Sequence, residues 1–136
     1  MIPRIALFLS TLALPMLLCA QSHHPVPVLV RGATAGSVLF VQLLDPDERV
    51  VHERLVPVTD QLVQFTLDPV PAGRYAVRFF QDENANRKLD LGMFGIPKEG
   101  VGASRDATGF MSAPKVKDML FDVPFEGVQV INVKRY

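Results

Sequence analysis

The chain has almost no cysteine, no charge excess and very little histidine. A single cysteine, Cys19, among 136 residues excludes an internal disulfide framework and any multi-cysteine zinc site. Fourteen basic residues balance fourteen acidic ones, and no Lys/Arg-rich run interrupts the sequence, so a phosphate-tracking, nucleic-acid-binding surface is not expected. Of the three histidines, His23 and His24 lie in an N-terminal stretch expected to be disordered, which leaves His52 as the one internal imidazole for acid–base chemistry. Beyond residue 20 no window sustains an apolar helical stripe, and no apolar run reaches the length of a bilayer span.

What is present begins with a leader. Arg4 precedes an apolar run from Ile5 to Leu18, and small residues follow at Cys19 and Ala20. This pattern predicts a signal segment over residues 1–20, cleavage after Ala20, and a periplasmic or secreted product with no membrane span. Lipid anchoring at Cys19 is the competing outcome, and Leu18 counts against it because lipoprotein processing favours a small residue there. Removing 20 residues from 136 leaves 116, free of cysteine, with a flexible stretch over 21–25 and one domain over 26–136.

Period-two alternation then dominates, as expected of half-buried strands. Strands are expected at Val26–Arg31, Ser37–Leu44, Val50–Val56, Leu62–Leu67, Arg74–Gln81, Leu120–Val123 and Val128–Lys134, with Gly32, Asp45-Pro46-Asp47 and Pro69/Pro71/Gly73 as punctuation. The fold class is therefore all-β: an antiparallel immunoglobulin-like or prealbumin-like sandwich of about seven strands. Its inward residues are expected to include Val28, Val30, Leu39, Val41, Leu55, Phe65, Tyr75, Val77, Phe79, Phe121, Val130 and Val133. Tyr75 is placed to close a corner through its hydroxyl. The stretch from Asp82 to Asp118 exceeds a hairpin connection and is expected to be one long ordered loop, with a helical turn within Pro114–Met119.

Asp82, Asn84, Asn86 and Asp90 place side-chain oxygens at positions 1, 3, 5 and 9 of a tight loop, and a backbone carbonyl near Lys88 adds another. That spacing suits a hard cation, with calcium as the natural guest. Arg87 stands where such loops usually place glycine, and Met93 where an EF-hand places its glutamate, so Glu83 or Glu99 would have to complete the ligand set from outside. The alternative is that these Asx side chains bond their own backbone and hold the loop without metal. Downstream, Lys98, Glu99, Ser104 and Arg105 form a second candidate surface, able to serve a small-ligand binder or an enzyme if the four converge in a cleft.

Taken together, Pro71-Ala72-Gly73-Arg74-Tyr75-Ala76-Val77, Asp82-Glu83-Asn84-Ala85-Asn86, Leu89-Asp90, Phe94 to Ser104 and Pro114 to Phe121 resemble the exported bacterial family catalogued as domain of unknown function 2141. The resemblance covers most of residues 26–136. It implies a small extracytoplasmic sandwich with no assigned enzymatic activity. In that family the loop typically reads Asp-x-Asn-x-Asn-Gly, so Arg87 replaces the glycine, and Ala103 stands where a bulky aromatic is more usual. The expected function is an exported, non-enzymatic, envelope-associated binding or structural module, with an envelope component or another protein as partner.

Overall fold

The computed structural model describes residues 20–136 other than Met111. Residues 1–19, which hold Cys19 and nearly all of the expected leader, lie outside that range. Eight strands follow one another: β1 (His23–Arg31), β2 (Val38–Leu44), β3 (Val50–Pro57), β4 (Leu62–Pro71), β5 (Gly73–Asp82), β6 (Val101–Ala103), β7 (Phe121–Val123) and β8 (Gln129–Asn132). One helical turn, α1 (Val116–Met119), precedes β7.

They form two sheets, ordered β4-β1-β8 and β3-β2-β5-β6, and β7 continues the second sheet beside the first half of β5. Alternation decides which residues face inward. Val26, Val28 and Val30 of β1, Leu39, Val41 and Leu43 of β2, Val63, Phe65 and Leu67 of β4 and Val77 and Phe79 of β5 enclose one apolar core between the sheets. A smaller cluster of Leu44, Ala76, Ala103, Val116, Met119 and Leu120 lies on the outer face of the second sheet, covered by α1. The sheet is therefore buried on both faces along that part of β2 and β5.

Local chemistry sets the corners. Asp45 Oδ1 accepts the backbone N–H groups of Asp47 at 2.9 Å and Arg49 at 3.0 Å, closing the β2–β3 hairpin, and the Arg49 N–H holds the Asp45 carboxyl below its ordinary pKa. The Tyr75 hydroxyl donates to the Pro71 carbonyl at 2.9 Å, the corner the sequence suggests.

Four differences from expectation have physical causes. β1 starts at His23, inside the stretch expected to be flexible, because β4 runs on to Pro71 and supplies partners for His23 and His24. β1 and β8 pair in parallel, since the chain crosses from one sheet to the other before β8. Leu55 is 52% exposed. On edge strand β3 it sits opposite half-buried Phe40, whereas Val56 sits opposite fully buried Leu39 and takes the inward place. Likewise Ile131, paired with buried Val30, replaces Val130 as the core residue of β8.

Candidate functional site

The long connection from Asp82 is built of three pieces. The first is the loop 82–90. Asp82 ends β5 and is 4% exposed. Its Oδ2 accepts the Arg87 N–H at 2.9 Å, whereas Oδ1 is buried without a hydrogen-bond partner. Asn84 Oδ1 accepts from Asn86 N at 3.3 Å, and Asn86 Oδ1 accepts from Lys88 N at 3.0 Å, two successive Asx turns. The side-chain amides of Asn84 and Asn86 both donate to the Asp90 carboxylate, across the mouth of the loop. Asn84, Asn86 and Asp90 are thus joined side chain to side chain, whereas Asp82 is tied to the loop through the Arg87 N–H. Among the described residues no group of three or more His, Cys, Asp and Glu side chains is placed to hold a metal. The linked set here is one carboxylate and two amides, whose nitrogens face the carboxylate.

The loop's turns need left-handed backbone at Ala85 and Arg87, both with φ of 59°. Arg87 therefore adopts the conformation for which related loops use glycine, at a steric cost of about 1 kcal/mol. Arg87→Gly is expected to raise stability by about 0.5 kcal/mol at most, less than the full strain because glycine gains freedom in the unfolded chain. Urea unfolding of the two proteins side by side checks this, and a loss of stability would show that the Arg87 side chain has a stabilising contact that outweighs the strain.

Glu99 completes the loop from outside. It is 5% exposed, and its two carboxylate oxygens accept the N–H groups of Glu83 and Asp90, each at 3.2 Å. One buried anion thereby ties the start of the loop to its end. Glu83 is held in turn by Arg135 and by the amide of Gln81, a fully buried side chain that also accepts from Thr34 N. An open cavity of about 490 Å³ lies here, lined by Glu83, Asn84, Asp90, Leu91, Lys98 and Glu99.

The second piece, residues 91–98, is a short finger. Lys98 N donates to the Asp90 carbonyl at 2.8 Å and Gly92 N to the Ile96 carbonyl at 2.7 Å, and the tip turns through Phe94 and Gly95 at φ of 59° and 71°. The third piece returns through β6 to a turn at Ser104–Asp106.

The second candidate surface does not assemble as one. Lys98 and Glu99 border the cavity, but Glu99 is buried and committed to backbone. Ser104 has no exposed surface: its hydroxyl donates to the Met119 carbonyl at 2.6 Å and accepts the Val77 N–H at 3.0 Å. Arg105 is exposed and reaches toward the Leu120 carbonyl at 3.5 Å. Glu99 and Ser104 are thus corrected from surface to interior, because the glycine-rich segment packs inward against β5 and β8. Asp106, which sequence reasoning passes over, clasps β8: its carboxylate accepts from Asn132 N at 2.9 Å and Asn132 Nδ2 at 2.7 Å. A lone aspartate after an arginine carries no sequence signal for that role.

Residues 39–132 match the model of a family described as "Uncharacterized protein conserved in bacteria (DUF2141)", and the chain belongs to that family. No curated protein and no solved structure matches it.

Proposed function

We propose that this member of the family is an exported, non-enzymatic module of the bacterial envelope whose 82–90 loop is stapled by calcium. Export is supported by the charged, apolar and small-residue regions of positions 1–20. The calcium reading rests on one observation above all, the buried Asp82 Oδ1 with no partner, in a loop whose Asn84 and Asn86 side chains are linked to Asp90. Leaving such an oxygen unsatisfied is costly, and a cation beside it removes the cost. The donors fit a hard ion: Asp82, Asn84, Asn86, the Lys88 carbonyl and Asp90 are all oxygen ligands. The Asx turns do not exhaust them, because an oxygen that accepts one N–H retains a second lone pair.

Calcium at about ten times its dissociation constant is expected to stabilise the fold by about 1.4 kcal/mol, a rise in melting temperature of about 5 °C. Asp82→Ala and Asp90→Ala should melt at a temperature insensitive to calcium. An unchanged wild-type melt at millimolar calcium returns the loop to a purely Asx-turned structure held without metal.

A further inference from the structure

The stub ahead of β1 carries nitrogen donors in a row. Ala20, Gln21 and Ser22 are exposed and precede the strand, whereas pairing with β4 holds β1 from His23 onward and burial anchors it from Val26. The His23 ring is folded back over this stub, and its Nδ1 donates to the Gln21 carbonyl at 2.9 Å. Nδ1, rather than Nε2, therefore faces the side of the chain that leads to residue 21. Cleavage after Ala20 leaves Gln21-Ser22-His23 as the new terminus, with a free amine on Gln21. Covalent spacing then fixes four nitrogens around one point. The Gln21 amine and the Ser22 amide close one five-membered chelate ring about a metal, the Ser22 and His23 amides close a second, and the His23 amide and Nδ1 close a six-membered third. Planar peptide units keep these fused rings near one plane. Four nitrogens in a plane suit copper(II), which also heads the affinity order of the divalent first-row metals.

We infer that the exported chain binds one copper(II) ion at this terminus, through the Gln21 amine, the Ser22 and His23 amide nitrogens and His23 Nδ1. Binding involves no redox step. The ion displaces the two amide protons to solvent, the imidazole keeps its proton on Nε2, and Nδ1 exchanges the Gln21 carbonyl for the metal. The two amidate charges balance those of the ion. Zinc does not replace it, because zinc favours a tetrahedral set that these fused rings cannot supply. Competing sites are few: removal of residues 1–20 takes away Cys19, and no group of three or more His, Cys, Asp and Glu side chains among the described residues is placed to hold a metal. The fold gives up little, since the site ends at the first residue of β1 and leaves Val26, Val28 and Val30 in the core. The inference rests on the export reading above, with cleavage after Ala20, and not on calcium. Cyclisation of Gln21 abolishes the site: the amine attacks its own side-chain amide, a lactam closes, ammonia leaves, and the amine donor is lost.

The test expresses the full chain with its leader in a bacterium and purifies the exported product. Mass spectrometry of that product should find Gln21 at the terminus with its amine intact. Titration with copper(II) chloride should then raise a visible absorption band that saturates at one ion per chain, with a paramagnetic resonance spectrum split by four nitrogens. Excess zinc should leave both signals in place. His23→Ala should abolish them, and so should one alanine inserted between Gln21 and Ser22, which moves the imidazole out of reach of the third ring. His24→Ala should keep them. His23→Ala and the insertion alter only exposed residues and should melt like wild type, so loss of copper there is not loss of the fold. A Gln21 terminus that gives no band, or a band that survives His23→Ala or the insertion, overturns the site and leaves the export reading standing. A product that keeps its leader, or starts at another residue, overturns the cleavage reading and the site with it. A lactam at Gln21 in the freshly exported protein overturns the site alone.

Discussion

Ser104→Ala is expected to lower stability by about 2–4 kcal/mol, a drop in melting temperature on the order of 10 °C. The hydroxyl satisfies two backbone groups at once, the Val77 N–H of β5 and the Met119 carbonyl of α1, and neither residue is more than 1% exposed. Alanine preserves the packing volume almost unchanged but orphans a donor and an acceptor, and each orphan costs about 1–3 kcal/mol. Total stabilities of about 5–15 kcal/mol make that a large fraction. The loss should concentrate where the bonds are. Hydrogen exchange at Val77 and through 116–121 should accelerate more than in β1 or β4, because α1 covers only the small outer cluster. Denaturant unfolding with exchange mass spectrometry tests both parts. A shift under 1 kcal/mol would mean that α1 relaxes to pair the Met119 carbonyl with water.

Ser104 also shows where sequence reading stops. A serine after a glycine-rich stretch resembles an exposed loop residue, and nothing in its neighbours reveals that Val77 and Met119, distant in the chain, converge on it. The strands were far more legible. Period-two alternation bounded by Gly, Pro and Asp locates β1 to β5, β7 and β8 to within a few residues, because each must bury one face and stop at a turn. β6 escapes this logic. Val101-Gly102-Ala103 is too short to show a period, and Gly102 there serves close packing: a Cβ would collide with the Phe79 ring and lie 2.9 Å from Ile131 Cγ2. The inward face of edge strand β3 was misread for a related reason. Val50, Val51 and Leu55 place apolar residues on both of its sides, and only pairing with β2 selects Val56.

The loop 82–90 was legible in composition and spacing but not in its support. The Asx pattern located Asp82, Asn84, Asn86 and Asp90, and pointed to Glu83 or Glu99 as outside contributors. The structure gives Glu99 a more specific position. Its carboxylate lies between the two ends of the loop, and this arrangement exists only because the finger folds back through the Lys98–Asp90 bond and delivers Glu99 beneath them. Loop order, the orientation of the finger and the calcium affinity proposed above then share one buried side chain.

Glu99→Ala is therefore expected to act on all three. Two amides, Glu83 N and Asp90 N, lose their acceptor in a partly buried setting, at a cost of about 2–3 kcal/mol. The loss is larger than one hydrogen bond would suggest because charge-assisted bonds are stronger than neutral ones. Released from its clasp, the loop must be ordered by any cation that enters, so the calcium-dependent rise in melting temperature should shrink by more than half even though none of Asp82, Asn84, Asn86 and Asp90 is altered. Glu99→Gln separates charge from shape. Its amide oxygen can accept one of the two N–H groups while its NH₂ faces the other, so it should lose about 1–2 kcal/mol and retain part of the calcium response. Melts of wild type, Glu99→Gln and Glu99→Ala, each with calcium and with chelator, give the comparison. An alanine variant as stable as wild type in chelator would show that water replaces the carboxylate at both amides and that the clasp contributes nothing to the fold.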